Sequence, residues 1–186
     1  MPMKNPFRIG LAGLEFACMT AATCWYFTDL AIGLWVFLAA SLFAIAVIDA
    51  ETYWLPDVIT LPLLGVGLLI QAWPETRTVG IEHSITGALL GSLPLWLLAT
   101  IYRWRTGKDG LGLGDVKLVA AMGVWAGPAV IPHTMVISAI AGLIWGLCGS
   151  KNKPWARRRI AFGPFLVIGY AVSVFVSWYS GWLPWI

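Results

Sequence analysis

The chain has 186 residues, of which 59% are hydrophobic and only 11% charged, with a mean hydropathy of +0.80; this excludes an ordinary water-soluble domain, where charged residues make up about 25%. The net charge is +3, but the basic residues lie beside apolar runs, where they set orientation in a membrane, and no nucleic-acid site is read from them. Cys18, Cys24 and Cys148 form no CxxC pair, so neither a zinc knuckle nor a disulfide framework is supported, and the three are read as packing residues.

Apolar runs bounded by Gly, Pro and charge predict an all-α transmembrane bundle, one domain over residues 1–186, with spans near 9–27, 30–48, 58–73, 84–102, 116–127, 129–148 and 160–181. Lys4 and Arg8 precede the first run, but Glu15 interrupts it and no convincing cleavage site follows, so a retained helix is expected in place of a signal peptide. The connection to the second span is only Thr28-Asp29. The segment 116–127 would be roughly 18 Å long as a helix, too short for a hydrocarbon core of about 30 Å. It must be extended, sheltered by its neighbours or partly re-entrant.

Six or seven spans are expected. With the N-terminus inside and seven crossings, Lys4, Arg8, Arg103, Arg105, Lys108, Lys117, Lys151, Lys153, Arg157, Arg158 and Arg159 fall on one side and only Arg77 on the other. That bias predicts cytoplasmic connections after spans two, four and six, with a periplasmic C-terminus. Trp25, Trp54, Trp73, Trp104, Trp155, Trp178, Trp182 and Trp185 lie near span ends and read as interfacial anchors. Pro62, Pro94 and Pro132 lie in or near spans and read as kinks.

Among nine acidic residues, Glu15, Asp49 and Asp115 fall in or against apolar segments, where an ionised carboxylate costs several kcal/mol unless compensated. Glu15 lacks an evident partner and is read as neutral or hydrogen-bonded to another helix. Asp49 closes the second span; Asp115 opens the fifth, in Gly112-Leu113-Gly114-Asp115-Val116-Lys117. The predicted topology puts both at one membrane face although 66 positions separate them. Two carboxyls sharing a site do not both ionise easily, so such a pair holds a proton near working pH. That state serves aspartic proteolysis, in which one group takes a proton from water while the other polarises the scissile carbonyl. No metal, cofactor or nucleophilic Ser or Cys is needed.

Gly110, Gly112 and Gly114 would allow backbone conformations closed to other residues and close approach of a substrate strand. The plainer alternative is a flexible loop ending in an N-cap Asp115. Lys117, two residues beyond Asp115, would not face it on a regular helix, and reads as an interfacial anchor or a modifier of the local field. The segment 103–114 combines Gly and charge without apolar period and reads as a mobile substrate-binding loop. His83 and His133 are isolated and form no metal set.

Three blocks in order carry a family resemblance: Asp49-Ala50-Glu51-Thr52-Tyr53-Trp54-Leu55-Pro56-Asp57-Val58-Ile59-Thr60-Leu61-Pro62, Gly112-Leu113-Gly114-Asp115-Val116-Lys117-Leu118, and Phe162-Gly163-Pro164-Phe165. With them the chain resembles the type IV prepilin peptidases, GxGD intramembrane aspartic peptidases, over roughly residues 30–180. The resemblance implies Asp49 and Asp115 as the catalytic pair. Gly112, Gly114, Lys117, Pro56 and Asp57 then take supporting or substrate-binding places, Asp57 as a non-catalytic position that caps the third span or positions substrate. It also implies a bacterial inner-membrane protein whose partners are a prepilin or pilin-like helix and lipid, and which cleaves after a Gly to remove a short basic leader. Longer members carry a cytoplasmic domain with paired CxxC motifs and methylate the new N-terminus; nothing of that kind stands between the first two predicted spans. A peptidase-only form is therefore expected. A small proton- or cation-coupled transporter using the same carboxyls, or a pilus-assembly scaffold, are the alternatives.

Overall fold

The computed structural model describes residues 30–73, 78–107, 110, 112–148 and 161–180. Nearly all of them lie in six helices: α1 Leu30–Thr52, α2 Asp57–Ala72, α3 Ile81–Thr106, α4 Leu113–Ala126, α5 Val130–Cys148 and α6 Gly163–Tyr179. Each answers to one predicted span from the second onward, with ends displaced by a few residues. The predicted span 9–27 lies outside the described residues, with Glu15, Cys18, Cys24 and Thr28-Asp29. So do Arg77, Lys108, the basic cluster 151–159 and Trp25, Trp155, Trp182 and Trp185.

Gly33–Thr52, Ile81–Thr106 and Val130–Cys148 are long and apolar enough to cross a membrane, and α2 and α6 are shorter apolar helices. Their outer faces are apolar as well: Leu89, Leu90, Leu93, Trp96 and Leu97 of α3 are all exposed. Helices that are hydrophobic all round suit lipid better than water. Together with the composition, this makes the chain a membrane protein.

The short fourth helix is the hub of the bundle. It packs against α2, α3, α5 and α6, and Trp35 and Phe37 of α1 reach its Trp125 at ring-centroid distances of 6.5 and 6.4 Å. Leu118, Val119, Ala121 and Met122 have no exposed surface. The segment read as 116–127 is a helix of 14 residues, Leu113–Ala126, sheltered by its neighbours.

Two pairs of glycines four residues apart, Gly87 and Gly91 on α3 and Gly123 and Gly127 at the end of α4, let the two backbones nearly touch. A Cβ on Gly123 would collide with the Gly87 carbonyl, one on Gly87 would lie 2.7 Å from the Gly127 carbonyl carbon, and one on Gly91 would lie 2.6 Å from Val119 Cγ1. The buried Trp125 indole Nε1 donates to the Leu63 carbonyl of α2 at 2.9 Å, which satisfies its one polar atom. Gly127 then takes φ +75°, a left-handed residue that ends α4 and lets α5 begin three residues later.

The α2–α3 connection is organised by one buried amide. Gln71 Oε1 accepts the backbone N–H groups of Thr78, Val79 and Gly80 at 3.1, 3.0 and 3.1 Å, and its Nε2 donates to Thr78 Oγ1 at 2.8 Å. This occupies donors that would otherwise be lost at the start of α3. The far end of α3 is closed by Gly107, whose N–H donates to Arg103 O at 2.8 Å, with Arg103 and Arg105 in the last turn, where positive charge suits the helix dipole.

Several expectations are corrected. Of the expected loop 103–114, residues 103–106 belong to α3 and 113–114 to α4. Pro62 and Pro94 lie inside α2 and α3, but Pro132 stands in the first turn of α5, where its missing N–H removes no intrahelical bond and no kink is required. Cys148 is exposed at the end of α5 and is not a packing residue. Trp54, Trp73, Trp104 and Trp178 are exposed near helix ends. His83 and His133 are also exposed.

The α3–α4 crossing makes a direct prediction. Gly123→Val should destabilise the protein by about 3 kcal/mol or more, because backbone meets backbone there and cannot yield as a side chain would. Gly65→Ala, with nothing within 4 Å of its added Cβ, should leave the thermal unfolding midpoint in detergent nearly unchanged.

Candidate active site

One end of the bundle gathers the last turn of α1, the α1–α2 corner, the end of α3 and the first turns of α4 and α6. The first helix does not stop at residue 48 but runs through Asp49, whose carbonyl accepts the Tyr53 N–H at 2.8 Å. The Thr52 hydroxyl donates back to Ile48 O at 2.7 Å. Tyr53 has φ +56°, a left-handed conformation that costs an aromatic residue about 1–2 kcal/mol. It turns the chain sharply, so that Leu55 and Pro56 are buried and Pro56 is the N-cap of α2.

The Asp49 side chain is 3% exposed. Its Oδ2 accepts the backbone N–H of Gly163 at 2.8 Å. Local sequence supplies that donor: Gly163 opens α6, so its N–H has no partner within the helix, and the positive end of the helix dipole points at the carboxyl. Pro164 offers no N–H to compete. A Cβ on residue 163 would fall 2.7 Å from Asp49 Oδ2 and 3.1 Å from its Cβ and Cγ.

Asp115 is 7% exposed and is the third residue of α4. The N-cap is Gly112, without a side-chain cap bond, so the alternative of a capping Asp115 does not hold. Its backbone N–H donates to Gly112 O at 3.1 Å, while its buried Oδ1 has no hydrogen-bond partner. The two carboxyls that the sequence singled out thus lie at the same end of the bundle, Asp49 in the last turn of α1 and Asp115 in the first turn of α4, both withdrawn from solvent.

Gly112 and Gly114 do not use the backbone freedom expected of them. Among the described residues, positive φ in glycine occurs at Gly80, Gly107 and Gly127, and Gly112 has φ −68°. Space is what these positions require. A Cβ on Gly112 would come within 3.2 Å of Asp115 Oδ2, and one on Gly114 within 2.8 Å of Leu55 Cβ. Gly110 likewise lies against the Tyr102 ring.

Lys117 faces away from Asp115, as its spacing required, and its Nζ sits 2.8 Å from both oxygens of Asp57. No side-chain cap bond is made at the start of α2; the Asp57 carboxylate is turned to Lys117 instead. Pro56 is buried between Leu55 and this pair.

Two residues of the site escaped sequence reasoning. Gly163 was visible inside a motif, but its role was not; the signal was the Gly-Pro step, since Pro at the second helical position marks a helix start with free N–H groups. Tyr53 gave no signal, because nothing in its side chain favours the left-handed region.

Two carboxyls in one largely dry site, one anchored and one with an open oxygen, can pass protons to and from a water and a peptide carbonyl held between them. Comparison with known proteins points the same way. The profile described as the type IV leader peptidase family matches residues 35–147. Proteins named prepilin leader peptidase/N-methyltransferase are similar: one from Burkholderia pseudomallei strain 1026b is 37% identical over 139 residues, 74% of this chain and 44% of the relative. One from Dickeya chrysanthemi is 38% identical over 140 residues, 75% and 49%, and one from Stutzerimonas stutzeri is 34% identical over 165 residues, 87% and 56%. The chain spans about half the length of these curated relatives. No solved structure matches it significantly.

Proposed function

Because the chain belongs to the type IV leader peptidase family, we propose that it is an intramembrane aspartic endopeptidase that removes the basic leader from type IV prepilins or pilin-like proteins. The observation that carries this reading is the burial of Asp49 and Asp115 in one site, from helices 66 positions apart in sequence. The proposed setting is the bacterial inner membrane, crossed several times, with the site at the cytoplasmic face. Arg103, Arg105 and Lys117 lie at the same end of the bundle as the two carboxyls, which supports that orientation. The proposal concerns the peptidase step and assigns none of the described residues to methyl transfer.

In the reaction, Asp49 acts as base and Asp115 as acid. The Gly163 N–H and the α6 N-terminus face Asp49, a placement that suits negative charge. Asp49 takes a proton from water as the water oxygen attacks the scissile carbonyl carbon. Asp115 gives its proton to the carbonyl oxygen, yielding a tetrahedral diol. Collapse breaks the C–N bond, the departing amine takes the proton held by Asp49, and Asp115 regains its own from the diol. The open Asp115 Oδ1 is the oxygen suited to meet the substrate carbonyl.

The test is leader removal from a co-expressed prepilin, followed by gel shift at matched membrane levels of enzyme. Asp49→Asn and Asp115→Asn should each abolish cleavage, since Asn keeps the size and removes the acid. Survival of cleavage in both would return the chain to a transporter or scaffold role. With purified enzyme the rate should follow a bell-shaped pH profile, falling when both carboxyls are protonated and again when both are ionised. A flat profile between about pH 4 and 9 is incompatible with a perturbed pair.

Gly163→Ala should lower kcat by about tenfold to a hundredfold, because its Cβ must displace the Asp49 carboxyl and small misplacements of reacting groups are costly. Gly142→Ala is the matched control, since its Cβ meets only the Phe162 and Phe165 rings at 3.6–3.8 Å, and it should keep near-normal kcat.

A further inference from the structure

Asp57 and Lys117 come from different motifs and different helices, 60 positions apart, yet Lys117 Nζ lies 2.8 Å from both Asp57 oxygens. Their side chains are 52% and 41% exposed. Exposed ion pairs add little to global stability, so the consequence of this one is to be sought in geometry.

Its two ends bracket the site. Asp57 opens α2 immediately after Leu55 and Pro56, the corner that follows the Asp49 helix. Lys117 is two residues beyond Asp115. On the other side of Asp115, Gly114 is pressed onto Leu55 so closely that a Cβ would lie 2.8 Å from Leu55 Cβ. The start of α4 is thus held to the α1–α2 corner at two points, one before Asp115 and one after it.

The two carboxyls differ in how they are placed. Asp49 has its own anchor in the Gly163 N–H. Asp115 has a buried Oδ1 with no partner, so its position follows the backbone of the first turns of α4. Whatever fixes those turns against the α1–α2 corner fixes the distance between the carboxyls.

We propose that the Lys117–Asp57 ion pair is a positioning clamp that sets the Asp49–Asp115 separation, Lys117 and Asp57 acting through Asp115 without touching substrate. The inference rests on the peptidase reading above. It differs from a role for Asp57 in binding the cationic leader, because the ammonium of Lys117 already offsets the Asp57 charge. Loosening the clamp should therefore slow turnover and leave substrate affinity alone.

The experiment uses the full chain in detergent with a synthetic prepilin, comparing wild type, Asp57→Asn, Lys117→Met, their double variant and Lys117→Arg. Each single neutral variant should lose about tenfold in kcat, as for a reacting group displaced by a fraction of an ångström, with KM within about twofold of wild type. The double variant should be no worse than either single, the signature of one shared interaction. Lys117→Arg, which keeps the pair, should retain most activity. Amide hydrogen exchange over residues 113–118 should quicken in Asp57→Asn. Unchanged kcat, losses that multiply in the double variant, or a KM rise at constant kcat would each overturn the clamp. If wild type itself cleaves nothing, the peptidase reading falls, and hydrogen exchange on the same proteins still decides whether the pair holds α4: quickened exchange upholds that contact and unchanged exchange refutes it.

Discussion

Two carboxyl groups withdrawn from water at one end of an apolar bundle impose a cost of several kcal/mol that the surrounding structure must offset. Asp49 and Asp115 are 3% and 7% exposed, and much of the local architecture is explained by what they need. The start of α6 supplies a backbone N–H to Asp49. Gly163 must lack a side chain because the carboxyl occupies that space. Gly112 stands close beside Asp115 in the same way, with less crowding, since a Cβ there would lie 3.2 Å from Asp115 Oδ2. The exception is Asp115 Oδ1, which has no partner. A buried acceptor left open in a carboxyl pair is a feature to be explained by chemistry and not by stability.

Asp115 owes its position to α4, a helix of 14 residues that is too short to cross a bilayer unaided. Its neighbours bear the cost of its ends. The glycine pairs on α3 and α4 bring those backbones into contact, and the Trp125 indole ties α4 to α2 through the Leu63 carbonyl. Close-packed interiors deform little, so a helix gripped along its length carries the carboxyl at its start to a fixed point. The architecture thus converts packing in the middle of the bundle into placement at its end.

The helices were legible in the sequence because apolar runs of helical length, bounded by Gly, Pro and charge, stand out from their connections. The two carboxyls were legible for the same reason, since acid in an apolar run is conspicuous wherever the fold takes it. Even the turning of Lys117 away from Asp115 followed from helical spacing. Roles that depend on a distant partner were not legible. Asp57 at the start of α2 reads as a cap until Lys117, from another helix, is seen to claim it. Gly112 and Gly114 read as flexible until Asp115 and Leu55 are seen to fill the space around them. Tyr53 in the left-handed region is a tertiary override of local preference, and local sequence has no means of announcing it.

The central claim is that the two carboxyls form one proton-sharing unit. It is tested most directly by infrared titration of the protonated-carboxyl band in wild type, Asp49→Asn and Asp115→Asn, all reconstituted in lipid. The account predicts that removing either Asp changes the titration of the one that remains, because the protons belong to the pair. If each remaining carboxyl titrates as it does in the wild-type protein, the two groups are independent and the account is contradicted.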